Sequence, residues 1–144
     1  MFEFHGWAVI RVPDADDAPT HILGGREDAA IKRVRAAINE VHDEFSVFDV
    51  RRASNGLVVL YTHGLRNHLY TPVVSLFRWV AEELPDSYGL LYIYDDESEA
   101  HANEFRVWRL ARGRFEEQPD PFLSPYIPTV EPPWESSGSR DQTP

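Results

Sequence analysis

The residues of this 144-residue chain with the most chemistry in them are six histidines (His5, His21, His42, His63, His68 and His101) and 24 carboxylates. A zinc-hydrolase helix sets two histidines four residues apart on one face. No pair here has that spacing, and His63 and His68 stand five apart across a glycine loop. Asp14, Asp16 and Asp17 open like a calcium loop, which would need glycine at position 19 and glutamate at 25. The chain has Pro19 and Gly25 instead. Asp95-Asp96-Glu97 could offer oxygens to a divalent cation, but neighbours on a turn point in different directions, and only His101 follows as a nitrogen donor. There is no Gly-x-Ser-x-Gly elbow, P-loop or dinucleotide fingerprint. The chain has no cysteine, which excludes thiolate nucleophiles, zinc ribbons and redox pairs. The expectation is a protein with no catalytic residue, metal or cofactor. The enzymatic alternative is a small acidic site around Asp95 and His101.

The carboxylates instead suggest a surface. The formal charge is −10, and Glu82, Glu83, Asp86, Asp95, Asp96, Glu97, Glu99 and Glu104 all fall between Trp79 and Phe105, with Arg78 and Arg106 outside them. A solvated face that keeps a small protein soluble is one reading. The other is a field of one sign that steers a basic partner and speeds its association. Phosphate backbones would be repelled, so nucleic acid is not expected as a partner. With Tyr94 added as an aromatic anchor, these nine residues form the candidate partner-binding set, placed at an acidic end made by the second helix terminus and the hairpin after it. The first residues carry no basic, long-apolar leader, and no apolar run reaches the roughly 18–20 residues of a membrane span. A cytoplasmic protein with no membrane partner is expected.

The elements that would position these groups read as follows. Phe4–Arg11 is a strand, and Val12–Gly25, with two prolines and Gly24-Gly25, is a loop. Ile31, Val34, Ile38, Val41 and Phe45 recur at three and four, which predicts a helix over about 26–44 with Glu27 and Asp28 in its first turn. Ser46–Ala53 and Leu57–His63 are strands joined through Asn55-Gly56, a hairpin signal. Val73, Leu76, Phe77, Val80 and Leu84 mark a second helix over about 71–84, opened by Pro72 and stopped by Pro85. Tyr88–Tyr94 and Asn103–Arg112 complete the strands.

The order predicts an α+β fold: a split βαβ, ferredoxin-like β-α-β-β-α-β unit extended by a fifth strand, with both helices on one face. Residues 1–130 form one domain, with an irregular, proline-rich segment from Phe115 and a flexible tail over 131–144. If Leu91 and Ile93 face the helices, Tyr92 and Tyr94 face away, and Trp7, Tyr61 and Trp108 can be phased onto that same open face. Two occupants could cover it: a protein partner, or the apolar run Pro121–Pro128 folding back. The second is favoured, because an exposed Phe-Leu and Tyr-Ile would invite aggregation.

Several of these segments resemble a known family. His5-Gly6-Trp7, the Asp95-Asp96-Glu97 turn, Asn103-Glu104-Phe105 with Val107-Trp108, Leu110-Ala111-Arg112-Gly113, and Asp120-Pro121-Phe122-Leu123-Ser124-Pro125 with Ile127-Pro128 resemble the immunity protein 7 family of bacterial polymorphic toxin systems over roughly residues 2–130. The resemblance implies a cytoplasmic protein that protects its producer by binding a cognate toxin, and many such toxins are basic nucleases. It supplies no set of interface residues. A non-inhibitory adaptor or secretion chaperone remains a further alternative.

Overall fold

The computed structural model describes residues 1–13 and 20–133. The chain runs β1 (Phe2–Val9), α1 (Thr20–Val41), β2 (Ser46–Arg52), β3 (Val58–Arg66), α2 (Thr71–Glu83), β4 (Tyr88–Asp95), β5 (Arg106–Ala111) and β6 (Arg114–Pro119). The fold is α+β, with two helices and one antiparallel sheet of six strands ordered β2-β3-β1-β4-β5-β6. The expected fifth strand is therefore followed by a sixth, in a segment expected to be irregular. Arg112 and Gly113 both have positive φ (54° and 73°), the signature of a two-residue turn whose twist matches its strands. Leu110 and Phe115 pair across it, and Phe115 packs inward against Phe77 and Trp108.

One hydrophobic cluster joins Phe2, Phe4, Ala8, Leu60 and Leu91 of the sheet to Ala30, Val34 and Ile38 of α1 and to Val73, Leu76, Phe77 and Val80 of α2. Both helices thus cover the same face. α2 forms where its stripe predicts, with Pro72 in its first turn. α1 differs at both ends. It begins at Thr20 and takes in Gly24 and Gly25, so Glu27 and Asp28 lie inside it, where they pair with Arg52. It stops at Val41 because Asp43 turns the chain: its carboxylate accepts the Phe45 amide at 3.0 Å and pairs with Arg66. Phe45 consequently leaves the stripe and is exposed, beside the Arg66 guanidinium. The aspartates at 14, 16 and 17 and the stretch from residue 134 lie outside the described residues.

Alternation along the strands puts Glu3, His5, Trp7, Tyr61, His63 and Tyr92 on the face away from the helices. Trp108 is a correction. It lies on the helix face, stacked on Phe115 at 4.9 Å with the Arg78 guanidinium over both rings, because β5 pairs Leu91 with Trp108 and directly paired residues share a face. The expected covering segment is a second correction. Phe122 is 71% exposed and Leu123 55%, while Trp7 and Leu65 on the open face are themselves exposed. The polar groups of that segment, described below, hold it where its apolar side chains point outward.

Two contacts decide the register and the corner. β1 and β4 approach so closely at Gly89 that an added Cβ would lie 2.0 Å from the Trp7 carbonyl oxygen and 2.6 Å from Ala8 Cα. At the corner, Arg66 pairs with Asp43 and lies 3.9 Å over the Tyr70 ring, whose hydroxyl donates to the Val41 carbonyl. The ends of α1 and β3 and the start of α2 are thereby tied together. Partial burial raises the Asp43 pKa, but the Arg66 hydrogen bond and the Phe45 amide outweigh it and hold the carboxyl below its ordinary value.

Gly89→Ala should lower unfolding stability by about 2–4 kcal/mol, because backbone must move. Gly25→Ala meets nothing within 4 Å and should raise stability by about 0.5–1 kcal/mol through helix propensity. Urea midpoints check both, and a wild-type midpoint for Gly89→Ala would disprove the close approach. For Asp43, a folded pKa below the unfolded one means stability that is present at neutral pH and lost as pH falls through the folded value. Asp43→Asn should therefore cost about 1–2 kcal/mol at pH 7 and flatten the acid side of the melting-temperature profile. Parallel profiles for variant and wild type between pH 3 and 7 would contradict this.

Candidate functional site

The acidic hairpin is built as a chain of tight turns between β4 and β5. Ser98 donates to the Asp95 carbonyl at 3.2 Å, His101 to that of Ser98 at 3.3 Å, and Glu104 to that of His101 at 3.0 Å. The Asp95 side chain accepts the Glu97 amide at 3.1 Å. This winding leaves Asp96, Glu97, Glu99 and Glu104 exposed at one end of the sheet, with Asp95 half-buried beneath them. Some of the charge is already matched, Asp96 by the Met1 ammonium and Glu104 by Arg106 at 3.3 Å, while Glu97 and Glu104 also hydrogen-bond the rings of His68 at 2.9 Å and His101 at 3.0 Å. Asp95 and Glu99 make no ion pair among the described residues.

The other acids of the candidate set are not there. Register pairs Tyr88 with Val9 and Asp95 with Phe2, so β4 runs the full length of β1. Eight strand residues span roughly 20–25 Å. α2 leads directly into the start of β4, which places Glu82, Glu83 and Asp86 at the opposite end of the molecule. The Pro85 carbonyl there accepts the Gly113 amide of the β5–β6 turn at 3.1 Å, and Glu83 pairs with Arg33 of α1 at 2.5 Å. The single acidic end expected from the sequence is thus two separate groups, because the eight residues of β4 lie between the α2 terminus and the hairpin.

Tyr94 is also placed differently from a surface anchor. It is buried against Phe105, with ring centroids 5.9 Å apart. Burial, followed by the charges of Asp96, Glu3 and Asp95, pushes its hydroxyl pKa up. Its ring supports the acidic hairpin from below.

A cavity of about 170 Å³ lies under the hairpin, with Ile93 and Trp108 in its wall and Asp95, Ser98, His101 and Arg106 at its rim. It is smaller than the roughly 300–1,000 Å³ of small-molecule sites. The Ser98 hydroxyl makes no hydrogen bond to the His101 ring, whose Nδ1 is engaged by Glu104. Arg106 is held between Glu104 and Glu117, the latter at 2.9 Å. Among the described residues, no three His, Cys, Asp or Glu side chains gather closely enough to hold a metal ion. No described helix is long and apolar enough to cross a membrane.

The Asn103 side chain reaches across to the segment after β6. Its Oδ1 accepts the amides of Tyr126 (3.2 Å) and Ile127 (2.7 Å), while its Nδ2 donates to the Ile127 carbonyl at 2.8 Å. Asp120 is buried and accepts the Leu123 amide at 2.9 Å, and its own amide donates to the Phe105 carbonyl. Ser124 Oγ accepts the amides of Thr129 and Val130, and the Ser124 amide donates to the Glu131 carboxylate. A run of small polar residues that cap backbone groups could have signalled a folded loop; the apolar residues between them read instead as core.

The family model described as Immunity protein 7 matches residues 1–132. No curated protein and no solved structure matches the chain. The match takes in both helices, all six strands and the segment latched by Asn103. The chain belongs to the immunity protein 7 family.

Proposed function

We propose that this protein binds and neutralises a cognate toxin of a bacterial polymorphic toxin system, and that the toxin presents a basic surface to the hairpin 95–104. Family membership supports toxin binding. The observation that carries the surface is the gathering of Asp95, Asp96, Glu97, Glu99 and Glu104 on one turn-wound hairpin. Immunity of this kind needs occlusion and not turnover, so no catalytic residue or cofactor is assigned. Action in the cytoplasm, where a toxin would otherwise meet its target, is part of the same reading.

Glu82, Glu83 and Asp86 have a lesser part in it. Exposed charges are screened over about 8 Å at physiological salt, and these three stand well beyond that distance from the hairpin. They add to the overall negative charge but not to the local field. Occlusion by carboxylates suits any active site lined by lysine and arginine.

Charge reversal separates the two acidic groups. Glu97→Lys with Glu99→Lys should slow association with the inactivated cognate toxin domain about tenfold at low salt and flatten the salt dependence. Glu82→Lys with Asp86→Lys, at the far end, should change the rate less than about twofold. Stopped-flow association at two salt concentrations checks this. Equal rates for the hairpin variant and the wild type at both salts would remove the hairpin from the interface.

A further inference from the structure

The segment from Pro121 to Val130 has an unusual combination of properties. Its backbone is latched at several points, by Asn103, Asp120, Ser124 and Glu131. Yet Phe122, Leu123, Tyr126 and Ile127 are 71%, 55%, 79% and 62% exposed. Loops that carry apolar side chains ordinarily bury them, since each large one gains about 1.5–3 kcal/mol from burial. Here the polar groups order the loop and the apolar groups are left outside. The segment also contains no charged residue, so desolvating it takes no ion out of water. Its main latch, Asn103, belongs to the acidic hairpin itself, next to Glu104, so the apolar ridge and the carboxylates form one continuous surface.

We infer that the ridge Phe122, Leu123, Tyr126 and Ile127 is the anchor by which the toxin is held, seated in an apolar socket rimmed by basic residues. The inference rests on the toxin-binding reading and gives it a second component. Charge complementarity selects this occupant. A second copy of the chain would set acidic hairpin against acidic hairpin, and an anionic lipid surface would be repelled. Tyr126, an exposed aromatic on a pre-ordered loop beside the carboxylates, is of the residue type enriched among those that dominate binding energy. Asn103 is a positioning residue: it fixes the Tyr126–Ile127 backbone and touches the partner only through them.

The test uses the 144-residue chain and the inactivated cognate toxin domain. Phe122→Ser with Tyr126→Ser should speed dissociation at least about 30-fold, with association changed less than threefold and the melting temperature unchanged, because both rings are exposed. Asn103→Ala keeps every charge and every ridge side chain. It should also speed dissociation, and it should accelerate hydrogen exchange at the Tyr126 and Ile127 amides. Wild-type binding with wild-type dissociation in both variants would overturn the ridge and leave the toxin reading standing. No binding by the wild type would overturn both. A wild-type dimer that the double variant converts to monomer would assign the ridge to a second copy and overturn the inference.

Discussion

The whole arrangement depends on β1 being hydrogen-bonded along its full length on both sides, to β3 and to β4. A strand so placed has no free edge, and its side chains must divide between two faces. Phe2, Phe4 and Ala8 go to the helices, while Glu3, His5 and Trp7 go to the other side. Gly89 lets β4 close against the Trp7–Ala8 backbone, which keeps Phe2 opposite Asp95. That register carries the acidic hairpin to the Phe2 end and the α2 terminus to the Val9 end. Which carboxylates can act together is therefore settled by backbone pairing in the middle of the sheet, far from the charges themselves.

The same pairing leaves two kinds of edge. At β6 the strand is short, carries Glu116 and Glu117, and ends in Pro119, features that discourage another chain from pairing there. At β2 the edge is capped from within: the Asp49 carboxylate accepts the Val50 amide at 2.8 Å and Arg35 of α1 donates to the Val50 carbonyl at 3.3 Å. Both edges are thus blunted, so side chains and not strand addition are the natural means of holding a partner. That turns attention to the two exposed apolar surfaces, the open sheet face and the latched segment after β6. The second is tied by Asn103 to the acidic hairpin.

What was legible in the sequence was local. The Val73–Leu84 stripe and the Asn55-Gly56 turn carry their structure in neighbouring residues, and the α2 helix and the β2–β3 hairpin appear where expected. The family resemblance was legible too, because it rests on short runs in order. What failed depended on distant partners. The end of α1 is set by Arg66 acting on Asp43, and the side taken by Trp108 by its pairing with Leu91. β6 is polar, and only Phe115 marks its inward face. Nearness in sequence suggested that Glu82 and Glu99 shared a surface; the full length of β4 lies between them. For Pro121–Pro128, hydrophobicity was read as burial, although it measures only what burial would gain. The direction of the side chains was decided by Asn103, Asp120 and Ser124.

On the proposed reading, the acidic hairpin and the neutral ridge have different physical roles. A field of carboxylates acts beyond contact, so it raises the rate at which a basic surface arrives. It adds less once the surfaces meet, because charges brought out of water lose hydration as they gain partners. An uncharged aromatic ridge does nothing at a distance and gains its full burial on contact. Because the loop backbone is already latched, binding need not order it, and the gain is reduced only by the 0.5–1.5 kcal/mol or so that each immobilised side chain costs. Specificity then follows from requiring both. A basic protein without a matching socket would be attracted and released, while an apolar one without basic flanks would arrive slowly. A toxin that carries both features would arrive quickly and stay, which is what protection against a lethal protein at low concentration requires.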